Sequence, residues 1–173
     1  QESEIVRLYK EKSIKNPSSS LREVIEKSQI ISLKTEGVFD ITVQPLWNFY
    51  YNHFINKGLS TDPDSNELKV IMSSINWKNV KLKNNQAVLE NNASITLNGI
   101  AQGWITDKIT DVLRNNNISN TLVDFGETYA LGNYNNERPW NIMLRGPNEI
   151  NKIISIKDKA VATSSGYGTM FEP

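Results

Sequence analysis

The sequence predicts an α+β fold, in which helices pack on a mostly antiparallel sheet, and three observations lead to this class. Helical patterns dominate the first half of the chain, whereas short apolar runs separated by turns dominate the second half. A single segment with helical spacing interrupts these runs, and no regular alternation of strands and helices is present. Because 173 residues suffice for one core, residues 1–173 are predicted to form a single domain.

Four helical segments are predicted in the first half of the chain. The chain begins inside one of them, QESEIVRLYK. The second, NPSSSLREVIEKSQIISLKTEG, starts with Pro17 and three serines and ends near Gly37, as expected of a capped helix. Another begins near Pro45, and a short one follows Asp62-Pro63-Asp64. The apolar faces of the second helix are supplied by Leu21, Val24, Ile25, Ile30, Ile31 and Leu33.

Short strands and one longer helix are predicted in the second half. Two strands flank the turn at Asn84-Asn85, and a further strand is predicted at residues 95–97. The turn at Asn98-Gly99 then joins that strand to a helix that ends in three asparagines. Further strands are predicted in ISNTLVDFGETYALG, PWNIMLRG and KIISIKDKAVATSS. The helix has apolar residues at helical spacing, namely Ile100, Trp104, Ile105, Ile109, Val112 and Leu113.

Composition excludes several classes of function. The 19 Lys and Arg residues balance the 19 Asp and Glu residues, which argues against a broad nucleic-acid surface. The chain has no cysteine, so disulfides and thiolate metal sites are absent. His53 is the only histidine, which excludes a His-rich metal site or a His-based triad. Hydrolytic or transfer chemistry here therefore depends on carboxylates, backbone groups or a hard metal ion.

Three segments are candidates for a binding site. The segment ITLNGIAQGW contains small residues before a helix, and the first turn of a helix attracts phosphate groups. In TEGVFDIT, Phe39 and Asp40 can supply an aromatic wall and a carboxylate for a heterocycle, or Asp40 can simply cap a turn. In AVATSSGYG, Thr163 and its neighbouring hydroxyls, with Gly166 and Gly168, can line a phosphate or close a strand.

Taken together and in this order, the segments resemble the FAD:protein FMN transferases, the ApbE-type flavin transferases. The similarity extends over nearly the whole chain and includes LREVIEKSQIISLKTEGVFDITVQPLW, ITLNGIAQGWITDKITDVL, LVDFGETYALG, RPWNIMLRGP and AVATSSGYGTMF. The pair Gly126-Glu127, with VQPLW and SSGYGTMF, looks most like the branch associated with nitrous oxide respiration. The implied fold is the ApbE-like flavin transferase fold.

The resemblance implies an enzyme that uses FAD as substrate. Such enzymes, with Mg²⁺, attach FMN from FAD through a phosphoester bond to a Ser or Thr of a flavoprotein and release AMP. Some members instead hydrolyse FAD to FMN and AMP, and a flavin-binding protein without catalysis is a further alternative. The implied partners are FAD and an acceptor flavoprotein.

Site residues follow from the resemblance position by position. The flavin-binding segment of the family corresponds to Gly37, Val38, Phe39 and Asp40. Thr96 and Gln102 match FAD-contacting positions, and the backbone carbonyl of Gly99 matches a metal ligand. Thr163 belongs to the third candidate segment and is predicted to contact the cofactor. The resemblance identifies no catalytic base in this chain. Asp107 matches a recurring acid inside the helix and is interpreted as structural.

The sequence also departs from the family pattern. Many members have an acid at the position of Thr96 and Lys or Glu at that of Gln102, and Glu127 replaces the second glycine of a common pair. The chain lacks the family's HIxDP region and the later magnesium ligands, as well as the N-terminal strands. It is therefore expected to be a partial domain, truncated at both ends, with weak FAD binding and no transferase activity by itself.

The resemblance also carries an expectation about localisation. Members of the family are typically exported, often as lipoproteins, so a periplasmic or exported protein is expected. Any membrane attachment would come from an N-terminal anchor, and this chain contains no such signal.

Overall fold

The computed structural model describes residues 2–146 and 151–164. These residues belong to two compact units: one extends to Ile100, and the other begins at Ala101. The expectation of a single domain over residues 1–173 stays a prediction.

The helices of the first unit begin where the sequence places capping residues. Ser3, Ser18 and Asp64 each accept a backbone N–H in the first turn of the helix that follows. The helices are α1 (Glu4–Glu11), α2 (Ser19–Lys34), α3 (Gln44–Tyr50) and α4 (Ser65–Ser74), and α3 continues as a π-helix (Tyr51–Asn56). Pro45 lies in the first turn of α3. The predicted helices are confirmed, although α1 starts only at Glu4, after its N-cap. Within the described ranges, no helix has the length and apolarity needed to cross a bilayer.

The first unit contains a three-stranded antiparallel sheet with the order β1-β3-β2. The strands are β1 (Ser13–Lys15), β2 (Val80–Lys83) and β3 (Gln86–Leu89). Asn84 and Asn85 both have positive φ, 46° and 59°, as a tight hairpin between β2 and β3 requires. The hairpin confirms the prediction from sequence, whereas β1 was not predicted, because three residues are too short to show a period.

The strand predicted at residues 95–97 is wrong. Ile95 is buried, and the N–H of Thr96 donates to the carbonyl of Ile41 at 2.8 Å. Ile41 lies in a turn, so this contact is not part of a ladder. The segment is therefore an irregular extended connection, and the turn at Asn98-Gly99 does not follow a strand.

Serines occupy part of the buried face of helix α2. Leu21, Val24 and Ile25 are buried as predicted, but the buried face continues through Ser28 and Ser32, which are both fully buried. The Ser28 hydroxyl donates to the Val24 carbonyl at 2.7 Å, so its polarity is satisfied inside the helix. The other three predicted residues are exposed, because they lie off this face: Ile30, Ile31 and Leu33.

The described residues of the second unit form one helix and two antiparallel sheets. Helix α5 (Ala101–Asn115) accompanies a sheet with the order β4-β5-β8 and a separate hairpin of β6 and β7. The strands are β4 (Thr121–Asp124), β5 (Thr128–Leu131), β6 (Trp140–Arg145), β7 (Asn151–Ile156) and β8 (Lys159–Val161). All strand pairings among the described residues are antiparallel, which confirms the predicted α+β class.

Helix α5 is present as predicted, but its most buried residues are threonines. Thr106 and Thr110 are 1% and 0% exposed, whereas Ile105 and Val112 are 41% and 60% exposed. Each threonine hydroxyl donates to a carbonyl one turn earlier, at 2.9 Å and 2.8 Å. Burial of a threonine is tolerated here because the helix itself accepts the hydrogen bond of the hydroxyl.

Candidate functional site

The predicted site residues are divided between the two units. The first unit contains five of them, Val38, Phe39, Asp40, Thr96 and Gly99, and the second contains Gln102 and Thr163.

The end of α2 shapes the segment that the resemblance assigns to the flavin. Glu36 and Gly37 have φ values of 54° and 86°, and the N–H of Gly37 returns to the Ser32 carbonyl at 2.8 Å. This left-handed turn ends the helix and explains the glycine. Val38 then lies 90% exposed, which is unusual for an apolar side chain and leaves it available to a ligand.

The carboxylate of Asp40 holds two parts of the first unit together. Its Oδ1 accepts from the N–H and the hydroxyl of Thr42, at 2.7 Å and 2.6 Å. Its Oδ2 accepts from the N–H of Trp77 at 2.8 Å. The buried Thr42 hydroxyl accepts in turn from the N–H of Asn76 at 2.8 Å. The turn-capping role that the sequence left open is therefore present, and since a carboxylate accepts about four hydrogen bonds, one position is left for a ligand.

Phe39 and Gly99 are brought together in the first unit. A Cβ placed on Gly99 would lie 3.3 Å from Cε2 of Phe39, which is closer than an ordinary contact. Glycine thus allows the ring to lie directly on the backbone. Thr96 is close to Gly99 in the sequence, and its hydroxyl accepts a hydrogen bond from the N–H of Asn98 at 3.3 Å. The structure therefore joins two of the three predicted segments, because Thr96 also bonds to Ile41 beside Asp40.

The predicted metal site has one candidate ligand among the described residues. No group of three or more His, Cys, Asp or Glu that could hold a metal ion occurs in residues 2–146 and 151–164. Gly99 is an exposed residue, and a backbone carbonyl oxygen is a kind of ligand that Mg²⁺ prefers. One carbonyl does not make a magnesium site, and the described side chains do not complete it.

A groove of about 570 Å³ lies beside Trp77, between α2 and β2. The side chain of Gln29 crosses it, donating from Nε2 to the Val80 carbonyl at 2.7 Å. Trp77 thus links this groove to the Asp40 hydrogen bonds. The lining combines apolar and basic residues, including Ile30, Leu33, Trp77, Leu82, Lys78, Lys81 and Lys83.

In the second unit, Gln102 lies against the turn between β4 and β5. A Cβ placed on Gly126 would lie 2.7 Å from Nε2 of Gln102, so the amide occupies the space that a side chain would need. Gly126 has a φ of 89°, and its N–H donates to Oδ1 of Asp124 at 3.2 Å. The glycine is thus required both by its conformation and by the approach of Gln102.

Thr106 belongs to this second group, although the sequence did not single it out. Its hydroxyl donates to the Gln102 carbonyl at 2.9 Å and lies 3.4 Å from the Glu127 carbonyl. It therefore links the first turn of α5 to the β4–β5 turn. Its spacing from Gln102 places both residues on one face of the helix, but that spacing gives no signal of the contact with the turn.

Thr163 is exposed and follows β8. It makes no hydrogen bond to any described residue, so the structure does not connect it with Gln102. Gly166 and Gly168, from the same candidate segment, lie outside the described residues.

Comparison with known proteins gives one consistent result. A family model described as "ApbE family" matches residues 1–173. An FAD:protein FMN transferase of Vibrio cholerae is 27% identical over 165 residues, which are 90% of this chain and 48% of that protein. The one from Treponema pallidum is 25% identical, over 88% of this chain and 47% of that protein. The crystal structure of an ApbE protein from Thermotoga maritima has a TM-score of 0.82 and 23% identity, covering 95% of this chain and 55% of that one. The chain therefore spans about half the length of the curated relatives it matches.

Proposed function

The chain belongs to the ApbE family, and from that premise we propose that the full-length protein is an FAD:protein FMN transferase. The observation that carries the proposal is the match of the family model to residues 1–173. The names of the relatives from Vibrio cholerae and Treponema pallidum support it. Because the chain spans about half of those relatives, the activity is assigned to the full-length protein.

The proposed reaction is a phosphoryl transfer from FAD to a Ser or Thr hydroxyl of an acceptor flavoprotein. The hydroxyl oxygen attacks the phosphorus of the FMN half and forms the phosphoester bond. The bond from that phosphorus to the bridging oxygen breaks, and AMP leaves with that oxygen. A base takes the hydroxyl proton, and the described residues do not identify that base. Catalysis of this kind depends on positioning and on neutralising charge.

Each unit contributes residues suited to holding FAD. In the first unit, the exposed Val38 and the ring of Phe39 offer apolar surface to an aromatic ligand. In the second unit, the Gln102 amide can donate and accept hydrogen bonds. Helix α5 begins immediately before Gln102, and its positive dipole end favours the phosphates.

Magnesium is part of the proposal, but the described side chains do not fit a complete site. The carbonyl of Gly99 would be one ligand. The ion would supply charge neutralisation at the pyrophosphate.

The experiment is an assay of the full-length protein with FAD, Mg²⁺ and the cognate acceptor flavoprotein. AMP should appear together with flavin that remains on the acceptor after denaturation. Replacing the acceptor Ser or Thr by Ala is the matched control, and it should abolish the labelling. If the protein binds FAD but makes no AMP at saturating Mg²⁺, the enzyme proposal is overturned. AMP without labelled acceptor would instead identify an FAD pyrophosphatase, in which water replaces the hydroxyl.

We also propose that the full-length protein is exported and carries a lipid anchor at its N-terminus. This proposal rests on the resemblance alone. Cell fractionation of the native protein tests this. Recovery in the periplasmic or membrane fraction is expected, and recovery only in the cytoplasmic fraction would contradict it.

A further inference from the structure

The side chain of Glu127 has a carboxylate oxygen with no evident structural role. Its Oε2 is buried and has no hydrogen-bond partner among the residues that the structure describes. Glu127 lies just before β5, at the end of the β4–β5 turn. An ionisable oxygen without a partner is costly in a folded protein, so its presence needs an explanation.

The turn that carries Glu127 is held by other groups. The N–H of Gly126 donates to the Asp124 carboxylate at 3.2 Å, and the N–H of Phe125 donates to the Glu127 carbonyl at 3.2 Å. The Thr106 hydroxyl lies 3.4 Å from that same carbonyl. These contacts use the backbone of Glu127 and leave its carboxylate out. The side chain is therefore not what shapes the turn.

The position of the turn indicates what the carboxylate contacts. Gln102, which the resemblance matches to an FAD contact, lies against Gly126, the residue before Glu127. Thr106 approaches the carbonyls of both Gln102 and Glu127. A hydrogen-bond donor on a ligand bound beside Gln102 would give this oxygen the partner it lacks.

We propose that the Glu127 carboxylate accepts a hydrogen bond from FAD and is a further binding residue of the transferase. This inference rests on the proposed function. The donor is an N–H or O–H group, and FAD carries such groups on both halves: the imide of the isoalloxazine and the ribityl hydroxyls on one, the adenine amino group and ribose hydroxyls on the other. Gln102 and Glu127 together present an amide and a carboxylate. This pair suits a part of the FAD molecule that both donates and accepts hydrogen bonds.

The test compares Glu127→Gln with wild type in the full-length protein, with Glu137→Gln as the matched control. Glu137 is exposed in the same unit. Glu127→Gln should weaken FAD binding by about threefold to tenfold, because the amide keeps an acceptor oxygen at this position but removes its charge. The unfolding temperature without FAD should stay equal or rise, because the oxygen has no partner to lose. The Glu137→Gln control should bind FAD like wild type.

Two results would overturn the inference. One is an unchanged FAD affinity in Glu127→Gln while wild type binds FAD. The other is a lower unfolding temperature without FAD, or failure of the variant to fold, which would assign the side chain a structural role. If wild type itself does not bind FAD, the proposed function fails as well. Binding of FMN and of AMP, measured separately, then identifies the half of FAD that donates, because only that ligand loses affinity in Glu127→Gln.

Discussion

Replacing Asp40 by Ala tests whether this residue organises the first unit. The substitution removes the acceptor for the N–H and hydroxyl of Thr42 and for the N–H of Trp77. Thr42 is 1% exposed, so its freed groups have little access to water. We expect Asp40→Ala to destabilise the protein and to weaken FAD binding through the displaced Phe39 segment.

The magnitude follows from the number of hydrogen bonds and from their exposure. A hydrogen bond to a charged group contributes about 1.5–3 kcal/mol. Two of the three bonds come from one residue, Thr42, and Asp40 is only half-buried, so the contributions do not simply add. The free energy of unfolding should fall by about 2–4 kcal/mol. Asp40→Asn keeps one acceptor oxygen, but its amide NH₂ group faces an N–H donor that the carboxylate had accepted. The free energy of unfolding should therefore fall by about half as much as in Asp40→Ala.

Urea unfolding of the full-length protein, followed by tryptophan fluorescence, measures the change. Asp62→Ala is the matched control, since Asp62 is exposed and makes no hydrogen bond or ion pair among the described residues. The control should change the free energy of unfolding by less than about 0.5 kcal/mol. If Asp40→Ala is as stable as Asp62→Ala, the structural role of the carboxylate is refuted. A loss of FAD affinity at unchanged stability would then indicate a direct contact with the ligand.

Three glycines give further predictions. Gly126→Ala should lower the free energy of unfolding by about 1 kcal/mol because of the positive φ at this position. It should also reduce FAD affinity, measured by titration with FAD, as much as Gln102→Ala does, because the new Cβ displaces the Gln102 amide. In the variant that carries both substitutions, the two losses of affinity should not add. Gly99→Ala should push the Phe39 ring by a few tenths of an ångström and change FAD affinity, whereas in a Phe39→Ala background the same substitution should have no effect. Gly132→Ala places a Cβ 2.1 Å from a backbone carbonyl, so thermal unfolding should show a loss of at least about 2 kcal/mol, and an unaltered transition would contradict this geometry.

Local signals in the sequence were sufficient for most elements of the fold. Ser18 and Asp64 cap helices, Pro45 starts one, and Asn84-Asn85 turns a hairpin, as predicted. These features depend on residues within a few positions of each other. The sequence was less informative about burial, because serine and threonine can occupy the buried face of a helix. The hydroxyls of Ser28 and of the two buried threonines of α5 bond within the helix, whereas the buried hydroxyl of Ser32 has no partner among the described residues.

The candidate site shows the same division between local and distant contacts. The resemblance assigned the segment around Phe39 and the residues Gly99 and Gln102, and those assignments stay predictions. Neither pattern nor resemblance indicated that Thr106 links α5 to the β4–β5 turn, or that Glu127 has an oxygen without a partner. Both features depend on how a helix and a turn approach each other, which spacing along the chain does not encode.

The sequence by itself determined the α+β class, the capped helices, the hairpin and the family. Each of these follows from short-range periodicity, turn chemistry or motif order. Only the tertiary structure decided what Asp40 does, because its partner Trp77 is 37 positions away. It also decided that residues 95–97 form no ladder, since the neighbouring Ile41 lies in a turn. A strand needs a partner with matching backbone geometry, and that partner is a property of the folded chain.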